Sequence, residues 1–189
     1  MIPPLAIIQA RMGSTRFPGK MMAPLAGHPL IWYAWRRSIE AFGEANVVVA
    51  IPASNENHVL RDFIVESCGG RVFEWAGPED DVLGRFFHCA HAYRWHPHSV
   101  ILRVTPDDPL KDPVLMQAVA AGERHPVELS CEAFTLDQVS MLEQLAKDPA
   151  QREHLSTLFP VSAPSAPPGT WSVDTEADLL AIEERMRGG

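Results

Sequence analysis

Residues 5–20 read LAIIQARMGSTRFPGK. The run Leu5–Ile8 is apolar without interruption, long enough for a buried strand. The chain then turns polar, small and basic through Gln9, Arg11, Gly13, Ser14, Thr15, Arg16, Gly19 and Lys20. Three cations and no acid lie within ten residues, in a chain whose net charge is -8. Gly13 and Gly19 permit backbone turns that a Cβ would hinder. A loop with free N–H groups and converging Arg and Lys side chains suits a polyphosphate. The competing reading is a solvated basic turn after a first strand. A Walker A loop is excluded, because five residues separate Gly13 from Gly19 and Met21 follows Lys20. No Gly-x-Gly-x-x-Gly is present, which excludes the dinucleotide fingerprint.

A chain of 189 residues is long enough for one domain with a real core. Apolar content of 46% and charged content of 21% are those of an ordinary globular protein. No apolar run approaches the roughly 20 residues of a membrane span, and no signal-type segment opens the sequence. The expectation is a cytoplasmic protein without a membrane partner. The acidic balance argues against nucleic acid, whose binding depends on neutralising phosphates. Cys68, Cys89 and Cys131 are widely spaced, without Cys-x-x-Cys, so neither a disulfide framework nor a zinc site is expected.

Hydrophobic periodicity carries the remaining elements. Pro24 and Gly27 mark a turn, and Pro29 suits a first helical position ahead of a helix over Leu30–Phe42. Asn46–Ile51, NVVVAI, predicts a strand buried on both faces. Ser54 or Asn55 caps a helix running to about Ser67, broken by Gly69-Gly70, and Arg71–Trp75 predicts a short strand. Glu79–Asp81 place carboxylates at the start of a helix through about Trp95. Ser99–Val104 predicts a strand, and Asp112-Pro113 opens a helix through about Arg124. A strand within Val127–Phe134, helices over Leu136–Lys147 and Pro149–Phe159, a proline-rich loop over Phe159–Thr170, a short strand over Trp171–Val173 and a closing helix over Thr175–Arg187 complete the reading. Strands alternating with helices predict an α/β sandwich with a mainly parallel sheet. Ligands in such folds lie beyond the C-terminal ends of the strands, where both the basic loop and the loop after Val104 emerge.

That second loop, RVTPDDPLKDP over Arg103–Pro113, carries Asp107 and Asp108. Mg²⁺ with a nucleoside triphosphate takes one or two carboxylates, waters and phosphate oxygens. Alternatively, the two Asp residues shape a proline-rich turn. In SVDTEADL, residues 172–179, Asp174 or Thr175 reads as a helix N-cap, with Asp178 completing a capping-box-like pair. His88, Cys89, His91, His96 and His98 fall on different faces and segments, so a metal cluster is not expected. Trp32, Tyr33 and Trp35 are assigned to the core.

The segment IIQARMGSTRFPGK resembles the N-terminal signature of the cytidylyltransferases that activate sugar acids. The nearest branch is that of spore coat polysaccharide biosynthesis, with CMP-sialic acid and CMP-Kdo synthetases more distant. Arg103, Thr105, Asp107 and Pro109 fit the family's Arg-x-Thr-Gly-Asp-x-Pro pattern, with Pro106 in place of the glycine. Ser172–Leu179 resembles its Val-Asp-Thr-x-x-Asp-Leu segment, and Glu79–Arg85, EDDVLGR, resembles a segment near the nucleotide.

The resemblance implies a three-layer α/β sandwich of the nucleotide-diphospho-sugar transferase (GT-A) type, as one domain over residues 1–189. It implies transfer of CMP from CTP to a sugar-acid acceptor with release of pyrophosphate, dependent on Mg²⁺, in surface polysaccharide biosynthesis. The implied catalytic residues are Arg11, Lys20 and Asp107. Implied nucleotide contacts are Gln9, Ala10, Arg11, Gly13, Ser14, Arg16, Lys20, Asp81, Arg85 and Arg103. The implied metal carboxylates are Asp107 and Asp174. Arg152-Glu153-His154 resembles a recurring tripeptide without an assigned role. Family members are longer between about Arg124 and Glu132, in a stretch that helps hold the acceptor and form a homodimer. The alternatives are a nucleotide-binding homologue or interaction module that has lost the acceptor site, and a nucleotidyltransferase for another base.

Overall fold

The computed structural model describes residues 2–153 and 163–188. Its strands are β1 (Leu5–Gln9), β2 (Pro24–Leu25), β3 (His28–Pro29), β4 (Val47–Pro52), β5 (Val72–Trp75), β6 (Val100–Val104) and β7 (Glu132–Thr135). Its helices are α1 (Leu30–Phe42), α2 (His58–Asp62), α3 (Val82–Tyr93), α4 (Pro113–Ala120), α5 (Leu136–Leu145), α6 (Pro149–Glu153) and α7 (Glu176–Gly188). Five strands form one sheet in the order β5-β4-β1-β6-β7. Four run parallel, and β7 lies antiparallel against β6.

At the centre of the sheet Val47–Pro52 of β4 and residues 5–8 of β1 are apolar without interruption because both faces are covered. Successive side chains alternate between the faces. Ala6 and Ile8 of β1 join Val47, Val49 and Ile51 of β4 against Leu30, Ile31 and Ala34 of α1, Leu60 of α2, Met116 of α4 and Ile182 of α7. Leu5 and Ile7 join Val48 and Ala50 against Leu83 and Phe86 of α3 and Val139 and Leu142 of α5. The result is the expected three-layer α/β arrangement with a mainly parallel sheet.

Several local expectations need correction. Pro29 stands one residue before α1, with ψ at 147°. It closes the small β2–β3 hairpin, whose linking residues Ala26 and Gly27 both have positive φ. The run from Asn55 to Ser67 is helical, but it starts as a tight 3₁₀ turn and widens beyond Asp62 into a π-helical turn. Ser54 caps it without a side-chain-to-backbone bond. Helix α4 stops at Ala120 rather than near Arg124, where the chain turns through Gly122 at φ +100°. Trp171–Val173 is not a strand. Its one ladder-like bond runs from Val173 N to Asp107 O at 2.8 Å. The helix expected over Pro149–Phe159 is seen as α6. Its remainder, His154 and the start of the proline-rich stretch lie outside the described residues.

Candidate active site

The C-terminal ends of β1 and β6 open into a cleft of about 370 Å³. Gln9, Arg11, Gly13, Ser14, Arg16, Lys20, Arg85, Arg103, Asp107 and Asp174 line it, so ten sequence-selected residues meet there. Arg11, Arg16, Lys20, Arg85 and Arg103 face three carboxylates, those of Asp107, Glu153 and Asp174. This positive excess, inside an acidic chain, suits an anionic ligand. A second cavity, between Ile2, Phe42, Val100 and Ala121 at the other end of the sheet, is mostly apolar and offers no such chemistry.

The basic loop is held by its own backbone and by one buried side chain. Asn57, fully buried, accepts from Met12 N at 2.8 Å and donates to Ser54 Oγ at 2.7 Å. Met12 O in turn accepts from the N–H groups of Ser14 and Gly19. Gly19 takes φ +74°, a left-handed turn that aims Lys20 back across the cleft. A Cβ at Gly13 would meet only the Glu79 carboxylate, with Oε1 at 2.6 Å, the free end of a side chain that can move aside.

Lys20 is the centre of the charge arrangement. Its ammonium lies 3.2 Å from Asp107 Oδ2 and 3.5 Å from Asp174 Oδ1, and it donates to Val173 O at 2.8 Å. Arg16 pairs with Asp174 at 3.0 Å from the solvent side. Asp107 and Asp174, from distant parts of the sequence, therefore face one point. Of the two adjacent carboxylates, Asp107 faces the cleft. Asp108 is turned inward, 3% exposed, and takes the turn-shaping role that was its alternative.

Arg85 is 2% exposed and reaches the cleft floor from α3. It donates to Glu79 O at 3.0 Å and approaches Gln9 Oε1 at 3.5 Å. Burial, aided by the nearby Arg11 charge, lowers its pKa to about 10, so it stays cationic at neutral pH. Arg103 pairs with Glu132 across the β6–β7 ladder. Gln9 Nε2, Arg85 Nε and Arg103 Nε are buried donors without partners among the described residues. Unsatisfied buried donors grouped around one cleft are a cost that a polar ligand removes.

Two selected residues do not line the cleft. Ala10 is 1% exposed and bonds through its N–H to Ala50 O at 3.1 Å, below the loop. Asp81 caps α3 by accepting from Gly84 N at 2.8 Å. Its carboxylate is also gripped by Arg152, with Nε at 3.0 Å and Nη2 at 2.8 Å. Arg152 extends to Glu143 at 2.9 Å as well, so α6 is fastened to α3 and α5. That anchoring sets Glu153 at the cleft rim, 4.0 Å from Arg11. Glu153 belongs to the tripeptide that had no role, and no local spacing links it to Arg11. The histidines are dispersed: His88 stacks on Trp75, and His91 bonds Ser140 at 3.0 Å.

The donor set also bears on Mg²⁺. Two carboxylates facing one cationic point, beside a basic loop, fit an ion that takes its other ligands from water and phosphate.

The chain resembles several known proteins. The spore coat polysaccharide biosynthesis protein SpsF of Bacillus subtilis is 38% identical over 119 residues, which are 61% of this chain and 47% of that protein. The 8-amino-3,8-dideoxy-manno-octulosonate cytidylyltransferase of Shewanella frigidimarina is 30% identical over 138 residues, 72% of this chain and 54% of that protein. The chain thus spans about half the length of these relatives. The structure of a cytidylyltransferase from Leptospira borgpetersenii superposes with a TM-score of 0.83 at 22% identity, covering 100% of this chain and 88% of the other. The family model described as cytidylyltransferase matches residues 5–157, and the chain belongs to that family.

Proposed function

We propose that the protein is a nucleotidyltransferase that moves CMP from CTP to the hydroxyl of a sugar acid and releases pyrophosphate. The observation that carries this reading is the convergence of Arg11, Arg16 and Lys20 with Asp107 and Asp174 in one cleft. The names of its relatives support cytidine as the base and an octulosonate-type sugar acid as the acceptor. CTP is drawn from the cytoplasmic triphosphate pool, which sets the compartment.

In this reaction the acceptor hydroxyl oxygen bonds to the α-phosphorus of CTP and its proton is lost to solvent. The bond from that phosphorus to the bridging oxygen breaks, and pyrophosphate leaves with the electron pair. The chain supplies position and charge rather than a nucleophile. Arg11, Arg16 and Lys20 bind the triphosphate and neutralise the charge that grows on the leaving pyrophosphate. To do so Lys20 exchanges its carboxylate partners for phosphate oxygens. Arg85 and Gln9, with donors to spare on the cleft floor, bind the nucleoside side. Asp107 and Asp174 would hold Mg²⁺, which when bound supplies electrophilic activation of the phosphate.

One observation favours a second reading. The connector between α4 and β7 is short, so nucleotide binding without transfer is the competitor. A thermal-shift panel of CTP, UTP, GTP and ATP, with and without Mg²⁺, followed by a pyrophosphate-release assay with octulosonate acceptors, decides between them. Ligand at a hundred times its dissociation constant adds about 2.7 kcal/mol. In a domain of this size that raises Tm by roughly 5–10 °C. We expect the rise with CTP and Mg²⁺, release with an acceptor, and loss of release in Asp107→Ala. A flat response to all four nucleotides refutes the proposal. Binding without release establishes the competitor. Full release by Asp107→Ala removes that residue from the metal site.

A further inference from the structure

Behind the cleft lies a buried charge pair that the reaction does not use. Lys111 and Asp108 have side chains 0% and 5% exposed and lie 3.0 Å apart. The Lys111 ammonium donates to Asp108 Oδ2 at 3.0 Å, Thr105 Oγ1 at 3.0 Å and Val127 O at 2.9 Å. All three of its protons are therefore committed inside the protein. Asp108 Oδ2 also accepts from the Thr105 hydroxyl, and Oδ1 accepts from the Ser172 hydroxyl. Residues far apart in sequence thus meet at two charges: the loop after β6, the connector after α4 and the segment that leads into α7.

A buried ion pair is a poor way to gain stability, since apolar residues of similar volume often do as well. What this one does is join particular pieces of chain. Asp107 precedes Asp108, and its carbonyl accepts from Val173 N at 2.8 Å. Ser172 precedes Val173, and Asp174 follows it. Two adjacent ties, Asp108 to Ser172 and Asp107 to Val173, therefore fix the loop that carries one cleft carboxylate against the segment that carries the other.

We propose that Asp108 and Lys111, acting through Ser172, are positioning residues that set the spacing of Asp107 and Asp174 across the cleft. The inference rests on the reading of those two carboxylates as the groups that serve the Mg²⁺-triphosphate. It assigns Asp108 and Lys111 no contact with substrate.

The test uses the full chain and two variants. Ser172→Ala cuts the tie and leaves the charge pair intact. The double change Asp108→Leu with Lys111→Met removes both charges together, which avoids stranding one of them. One readout needs no ligand: amide hydrogen exchange at Val173 and Asp174 relative to β1. The other is the Mg²⁺ concentration giving half of the CTP-dependent thermal shift, together with CTP affinity at saturating Mg²⁺. Exchange at Val173 should quicken about tenfold or more in Ser172→Ala, as for loss of one hydrogen bond to a charged group. The Mg²⁺ requirement should rise by a similar factor in both variants, with CTP affinity at saturating Mg²⁺ held within about twofold. A lower Tm with both readouts unmoved overturns the inference and leaves the pair a structural filler. So does faster exchange with an unchanged Mg²⁺ requirement. A wild-type protein that responds to no nucleotide overturns the proposed function instead. The exchange arm then still decides whether the pair holds the segment in place.

Discussion

Replacing Lys20 by Met tests the charge arrangement of the cleft directly. The ammonium is 12% exposed, 3.2 Å from Asp107 and 3.5 Å from Asp174, with a 2.8 Å bond to Val173 O. Met keeps the length of the side chain and removes the charge. Two ion pairs to part-exposed carboxylates are each worth about 0.5–1 kcal/mol, after screening by solvent. The bond to the carbonyl adds about 1 kcal/mol. The ligand-free variant should therefore lose about 2 kcal/mol, seen as a Tm lower by roughly 4–8 °C. Its two carboxylates then keep only Arg16, which pairs with Asp174 from the solvent side. Millimolar Mg²⁺ should recover part of that loss in the variant while adding little to the wild type. Nucleotide binding should move further. A charge-assisted contact to phosphate contributes about 1.5–3 kcal/mol, so CTP should bind roughly 10- to 150-fold more weakly. Scanning fluorimetry with and without Mg²⁺ gives the first result, and calorimetric titration with CTP gives the second. A variant that binds CTP within twofold of the wild type refutes Lys20 as a triphosphate contact. A Tm that Mg²⁺ moves equally in both proteins refutes the shared cationic point.

Two further outcomes are expected away from that centre. Arg152→Ala breaks the bidentate grip on Asp81 and the link to Glu143, and should cost about 1.5–3 kcal/mol. The measurement is a lower urea midpoint at unchanged slope, and an unmoved midpoint refutes the bridge. Asp178 accepts from Thr175 Oγ1 at 2.8 Å, Thr175 N at 2.8 Å and Asp174 N at 3.1 Å. These bonds, that from the Thr175 hydroxyl foremost, hold its carboxyl below the usual carboxylate range. A depressed folded-state pKa stabilises above the unfolded value of about 3.9, and the gain fades as pH falls through the lower folded value. Wild type should exceed Asp178→Asn by about 0.5–1 kcal/mol at neutral pH, the low end for an exposed cap. The two should converge in acid, once pH has fallen through the folded-state value, and a gap that persists there refutes the assignment.

The parts of the fold that were legible in the sequence are those where one local cause dominates. Leu5–Gln9 and Val47–Pro52 announce themselves because both faces are buried, which leaves no polar residue to interrupt the run. Thr135 and Gln138 form a capping box that marks the start of α5, and Asp112 caps α4 through Val114 N. The failures are tertiary. Trp171–Val173 has strand-like composition, yet its polar groups are taken by Asp107 and Asp108, and a lone pairing cannot extend as a ladder. Asp81 sits beside the cleft in sequence order, but its oxygens are claimed by Arg152, 71 positions away. Lys111, between Leu110 and Asp112, looks like any exposed lysine. Nothing short of the folded loop shows that all of its protons point inward. The cleft itself was legible through pattern, because Arg11, Lys20, Asp107 and Asp174 stand in recognisable segments. Glu153, 4.0 Å from Arg11, was not.

The reversed direction of β7 has a consequence for how such a site can diversify. In a purely parallel sheet, only the last residues of each strand reach the ligand edge. Because β7 runs the other way, it is its first residue, Glu132, that arrives there, opposite Arg103. The chain immediately before it therefore turns at that edge of the sheet, where Val127 O and Leu129 O accept from Lys111 Nζ and Asp112 N. The sheet asks of that segment only that Glu132–Thr135 keep register with Val100–Arg103. Doubling the length of a flexible loop adds only about 0.6 kcal/mol of closure entropy. Insertions ahead of Glu132 would thus enlarge that edge while the strands, the basic loop and the carboxylates stay where they are. The fold separates a strand framework that stays fixed from a connector that is free to vary in length.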